Sequence, residues 1–197
     1  MKNVILCVLV YLLSAYSPSG VTAHITGSNI TISEAKLNDH ISQLYRQINF
    51  EAGGEISFDV FQTAYRGYLN LRNAGKLSDS SAILSVCDFS KSSSEYRLWI
   101  IDLYQKKVLY HTYVAHGQKS GEAFATAFSN RMNSHQSSLG FYITGETYDG
   151  KHGLSLRLHG MDMGYNSAAF DRGIVVHGAD YVCNNFVDAH DRLGRSW

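Results

Sequence analysis

Residues 154–159 read Leu-Ser-Leu-Arg-Leu-His, a strict alternation that suits one regular conformation. Successive side chains of a strand point to opposite faces, so Leu154, Leu156 and Leu158 share one side and Ser155, Arg157 and His159 the other. The leucine face is expected to be core, leaving the polar face for a cleft. A second strand is predicted over residues 173–178, Gly-Ile-Val-Val-His-Gly, an apolar run expected to be buried and to deliver His177 at its mouth. β-Branched and aromatic runs at residues 83–86, 96–103 and 108–115 add strands. The last two are expected to form a hairpin through Gln105-Lys106-Lys107. The polar stretch 129–138 is short and flanked by apolar runs, so it separates strands rather than domains.

Upstream of residue 81 the period changes. Leu37, Ile41, Leu44 and Ile48 recur at helical spacing after Thr31-x-x-Glu34, which resembles a capping box, and predict a helix to residue 50 that Gly53-Gly54 ends. Phe58, Phe61, Tyr65 and Tyr68 predict a second helix, capped by Ser57 and stopping before Gly75. A short helix is expected over residues 184–190. The start differs again: Met1-Lys2, an apolar run over residues 4–13 and Val21-Thr22-Ala23 have the layout of a secretory signal, placing the mature start at His24. Ser14, Ser17 and Pro18 interrupt that run below the roughly 20 apolar residues a membrane span needs. The expected organisation is a leader over 1–23, a helical N-terminal region over 24–80 and a β-rich domain over 81–197. The fold class is α+β, mainly β, with Leu37, Ile41, Leu44, Phe58 and Phe61 docking the helical preface.

Composition narrows function by exclusion. Seventeen basic and seventeen acidic residues cancel, so no basic excess exists to hold a nucleic acid or an anionic membrane surface. No GxGxxG, P-loop or G-x-S-x-G element is present. Removal of the leader leaves Cys87 and Cys183, enough for one disulfide or two buried thiols. Nine histidines are the richest source of chemistry, and His116, His159 and His177 each precede glycine where a strand should end. His24, His40, His111, His135, His152 and His190 read as packing or surface residues. Imidazoles with Asp162 or Asp180 could supply zinc ligands, but neither HExxH nor paired-cysteine spacing occurs, so no metal and no cofactor are assigned.

Four segments carry a family resemblance: Ser138-Leu-Gly-Phe-Tyr-Ile-Thr-Gly-Glu-Thr-Tyr148, His152-Gly-Leu-Ser-Leu-Arg-Leu-His-Gly160, Ile174-Val-Val-His-Gly-Ala-Asp-Tyr181 and Gly194-Arg-Ser-Trp197. Together with Tyr113-Val-Ala-His-Gly117 they resemble the murein L,D-transpeptidase catalytic-domain family, a branch of the YkuD-like cysteine transpeptidases, over roughly residues 81–197. The resemblance implies a YkuD-like mixed β-sandwich or flattened barrel. It also implies acyl transfer on peptidoglycan stem peptides, in which a cysteine thiolate attacks a diaminopimelate carbonyl, expels D-alanine and passes the acyl group to an amine or water. His177 matches the family's catalytic histidine. Arg157, His159, Gly178 and Ser196 are the expected substrate-binding residues, Arg157 as a carboxylate partner or else ion-paired with Asp162, Asp171 or Asp180.

One departure stands out. The family's nucleophile closes a Ser-x-Gly-Cys signature, of which this chain supplies Ser196-Trp197, so the cysteine is expected just after Trp197 and the chain reads as a fragment or an inactive relative. Cys183 and Cys87 are poor substitutes. Two other readings stay open: a non-catalytic peptidoglycan-binding module using the same cleft, and a zinc-dependent peptidase built from His116, His159 and His177. His159 and His177 are expected to face one cleft, with Arg157 on the side of His159 and Ser196 near the mouth. A monomer of the periplasm or cell envelope, without stable membrane insertion after leader cleavage, is expected.

Overall fold

The computed structural model describes residues 5–10, 33–51, 53–78, 80 and 82–196, the first stretch by its backbone alone. Its elements run β1 (Ile5–Val10), α1 (Glu34–Gln47), α2 (Phe58–Asn73), β2 (Ile83–Asp88), β3 (Leu98–Asp102), β4 (Lys107–Thr112), β5 (Gly140–Gly150), β6 (Gly153–Gly160), β7 (Val175–His177) and α3 (Asn184–His190). Two antiparallel three-stranded units, β4-β3-β2 and β5-β6-β7, are joined by β1, which runs parallel to β2 and antiparallel to β5. The fold is α+β and mainly β. Most of the expected leader lies outside the described residues; its apolar centre is β1. Among the described residues no helix is long and apolar enough to cross a membrane.

Both predicted helices form, with adjusted ends. Ser33 caps α1, its hydroxyl accepting the Lys36 N–H, and Thr31 lies outside the described residues. The helix stops at Gln47 because Ile48 turns extended and Asn49 pairs with Lys107 of the β3–β4 hairpin. Gly53-Gly54 instead docks on that hairpin: Gly54 N–H donates to His111 Nδ1 at 2.8 Å and Trp99 Nε1–H to the Gly54 carbonyl at 2.7 Å. Ser57 caps α2 as expected.

Period-two alternation divides β2 and β3 between two environments. Leu84, Val86, Trp99 and Ile101 face the helices and meet Ile41, Val60, Phe61, Ala64, Tyr65 and Tyr68 in one buried cluster. Leu37, Leu44 and Phe58 pack against it, so the docking residues read from the sequence are those observed. Each such burial contributes about 1.5–3 kcal/mol, which fixes the helices on the sheet. Gly67 lies within α2 where a Cβ would strike the Phe141 ring of β5. The alternate residues of the same strands, Ser85, Cys87, Leu98 and Ile100, face a cavity on the other side of the sheet.

Two strand expectations are corrected. Leu154 is 69% exposed while Ser155 is 3% exposed, the reverse of a leucine core face at that end. Leu154 pairs with Asp149 beside the β5–β6 turn, where the hairpin runs past the packed region, and only Leu158 is buried with Tyr142 and Ala169. The run 173–178 is not a buried strand; it shortens to Val175–His177 at the sheet edge, paired to β6 alone, with Val176 45% exposed. Helix α3 matches its expected bounds.

Candidate active site

A cavity of about 430 Å³ opens on the face of the sheet away from α1 and α2. It is lined by Thr144, Leu156, Leu158 and the edge strand β7 with His177, and by Met132, Asn133, His135, Gln136 and Ser137 of a loop. Cys87 lies on the floor, and Gly117 and Ser196 close one side.

His177 stands at the end of β7. Its Nδ1 lies 2.7 Å from the Gly178 carbonyl oxygen, which can only accept, so Nδ1 carries a proton and, in the neutral ring, the lone pair is on Nε2. That is the tautomer a general base needs. Its ring stacks on His152 from the β5–β6 turn, 4.7 Å between centroids and 16° from parallel. Gly178 acts through its carbonyl and is not part of the lining.

Ser196 is bound at both backbone groups. Its N–H donates to the His116 carbonyl at 3.1 Å and its carbonyl accepts the Gln118 N–H at 2.8 Å, a parallel bridge to Gly117. Gly117 N–H donates to Ser137 Oγ at 3.0 Å. A Cβ at residue 117 would fall 2.6 Å from the His135 carbonyl oxygen, so glycine is what lets these segments meet.

Beneath this bridge lies a buried pair. Arg97 is fully buried and His116 is 1% exposed. Arg97 Nη2 donates to His116 Nδ1 at 2.8 Å and both Nε and Nη2 donate to the Val114 carbonyl. Arginine cannot accept, so His116 Nδ1 does, leaving Nε2–H to donate to the Gly121 carbonyl at 3.3 Å. Burial first, and the Arg97 charge second, hold His116 down to about 4. It is a neutral structural imidazole with both nitrogens engaged.

The remaining predicted residues fall elsewhere. Arg157 and His159 are not in the lining of this cavity, which takes Leu156 and Leu158 from β6; β7 neighbours β6 as expected, and the pairing of Ser155 with His177 sets His177 on the same side of the sheet as Ser155, Arg157 and His159. Leu156 and Leu158, rather than the polar residues of β6, border the cavity. Arg157 Nε pairs with Glu146 Oε1 at 3.0 Å, not with Asp162, Asp171 or Asp180, and its guanidinium lies over Tyr148 and Phe170. His159 stacks on Phe170 at 4.8 Å. Asp162 accepts the Phe141 N–H and its own N–H donates to Asn166 Oδ1, an anchor for the 162–173 segment. Among the described residues no group of three or more His, Cys, Asp and Glu stands close enough to hold a metal ion. With His116 committed to Arg97, the zinc ligand set read from the sequence is not assembled. Neither Cys87 nor Cys183 is in a disulfide; Cys183 Sγ–H donates to the Asp180 carbonyl outside the cavity.

Sequence reasoning passed over Arg97 and Arg172. Arg97 sits in a strand-like run, Arg172 between Asp171 and Gly173, and their partners are carbonyls and hydroxyls far along the chain that leave no periodic signal.

A family model described as the L,D-transpeptidase catalytic domain matches residues 52–197, which includes α2 as well as every residue lining the cavity. No curated protein and no solved structure matches the chain. With three quarters of its length matched, and the histidine and the Ser196 bridge of that match meeting in one cavity, the chain belongs to the L,D-transpeptidase catalytic domain family.

Proposed function

We propose that this domain serves acyl transfer on peptidoglycan stem peptides, with His177 as the base for the cysteine thiol of the family's Ser-x-Gly-Cys signature. The observation that supports this is that His177 and Ser196 line one cavity. Ser196-Trp197 begins the family's Ser-x-Gly-Cys signature, and the bridge to Gly117 fixes Ser196 at the cavity. His177 Nε2 takes the thiol proton, and the thiolate adds to the diaminopimelate carbonyl. Collapse of the tetrahedral intermediate breaks the bond to D-alanine, whose nitrogen receives the proton from His177. An amine or water then takes the acyl group and frees the thiol. The leader over residues 1–23 directs export to the periplasm or cell envelope, where this substrate lies, and its cleavage before His24 takes β1 from between β2 and β5.

D-Alanine release from tetrapeptide muropeptides tests the reading. Reaction needs the thiolate within about 3–3.5 Å of the carbonyl, so the chain ending at Trp197 releases none and the chain extended by Gly-Cys does. His177→Ala in the extended form lowers the rate by roughly 10²- to 10⁴-fold. Turnover by the unextended chain that disappears with Cys87→Ala or Cys183→Ala would move the nucleophile to that residue. Tight muropeptide binding with no release by the extended chain would favour a binding module. Mass spectrometry of the exported protein, expected to begin at His24, tests the leader.

A further inference from the structure

The segment 129–138, which gives the cavity Met132, Asn133, His135, Gln136 and Ser137, has no regular secondary structure; bonds from Lys119 and Ser120 reach it, and Arg172 of another loop makes four more. Arg172 Nη1 donates to the Ser129 carbonyl and Ser138 Oγ; Nη2 donates to Ser134 Oγ and the Gln136 carbonyl. Four of its five N–H donors are used and all four acceptors are neutral. Among the described residues no carboxylate forms an ion pair with Arg172, although Arg157, Arg192 and Arg195 each have one. Asp171 also borders the cavity but is exposed to solvent, which screens it. Arg172 is therefore a half-buried guanidinium in the cavity lining, rigidly held, with an unneutralised charge and Nε–H still to donate.

We propose that Arg172 makes the cavity selective for peptides bearing a free carboxylate, both by fixing the 129–138 wall and by supplying the positive charge that such a ligand neutralises. The role read from the sequence for Arg157 thus passes to Arg172. This rests on the reading of the cavity as a stem-peptide site.

The test is calorimetric binding of two synthetic tetrapeptide stems to the full chain, one with a free C-terminal carboxylate and one with a carboxamide. The carboxylate form is expected to bind roughly tenfold more tightly, as a charge-assisted contact gives, with the preference shrinking between 50 and 500 mM salt. Arg172→Gln removes the preference while thermal unfolding stays cooperative; Arg172→Lys retains part of it and speeds proteolysis within 129–138; Asp171→Asn leaves it in place. Equal binding of the two peptides by the unaltered chain, a salt-independent preference, or one that survives Arg172→Gln would overturn the assignment of Arg172 and leave the cavity reading standing. Binding of neither peptide would overturn both. The salt series on the unaltered chain decides the matter if Arg172→Gln does not fold.

Discussion

Among the described residues, fourteen buried apolar side chains meet where α1 and α2 cover β2, β3 and β4, whereas Tyr142, Leu158 and Ala169 alone do so beneath β5, β6 and the 162–174 segment. The second region is held by directional bonds instead: Asn166, fully buried, donates to the Phe141 carbonyl and accepts the Asp162 N–H, while Arg172 fastens 129–138. It also leaves Leu154, Met163, Tyr165, Phe170 and Val176 well exposed. Apolar burial is non-directional and tolerates small displacements, but hydrogen bonds specify position. The helix side therefore supplies stability, and the cavity side supplies placement.

The largest expected effect breaks that contrast directly. Phe61→Ala removes a fully buried ring from the centre of the larger cluster and is expected to lower stability by about 3–5 kcal/mol in urea titration; Leu158→Ala, with few apolar neighbours, costs about 2 kcal/mol. A greater loss at Leu158 would reverse the comparison.

Acid should act next most strongly, and through the buried pair. An ordinary histidine titrates near 6.5, while His116 in the fold is held down to about 4. Between those values the unfolded chain binds a proton that the folded chain refuses, so this contribution is intact above about pH 6.5 and falls away as the pH drops to about 4. At 1.36 kcal/mol per unit the loss comes to about 3–4 kcal/mol. His116→Gln should flatten the slope of stability against pH in that window; an unchanged slope would mean that His116 does not carry it.

Asn166→Ala leaves the Asp162 N–H without its acceptor and the Phe141 carbonyl with the Met161 N–H alone, and is expected to cost about 1–3 kcal/mol. The loss should be accompanied by faster proteolysis between residues 162 and 174, sharpening the assignment of placement to polar bonds. Uniform protection would argue against it. Smallest is Ser57→Ala, the loss of one α2 cap whose bond is 3.4 Å long, expected at about 0.5–1 kcal/mol by thermal unfolding.

The same division explains what was legible in the sequence. Phe58, Phe61, Tyr65 and Tyr68 repeat at the helical period because one face of α2 is buried, and that repetition is visible without any knowledge of what covers it. His177 was legible as a strand-end histidine, and its partner for the Nδ1 proton is the next residue in the chain. Which face of β6 borders the cavity was not, because Leu156 and Leu158 line a site whose other walls come from residues 85–100, 132–137 and 196. Arg172 bonds across 34 to 43 positions to serine hydroxyls and carbonyls, groups present throughout any loop. Asn49 ending α1 by pairing with Lys107 is likewise a tertiary event that no local cap announces.

The tie between Ser196 and the His116-Gly117 corner has a consequence for biosynthesis. A ribosome adds about 5–20 residues per second, so the 80 positions separating His116 from Ser196 take roughly 4–16 s to make. For that interval a nascent chain can already hold α1, α2 and the β2–β4 meander, while the corner that receives Ser196 waits with its backbone groups open to water. Leu193, whose N–H donates to Ser93 Oγ across 100 positions, arrives equally late. Order in translation thus separates a framework that can form early from a cavity edge that must be added to it afterwards.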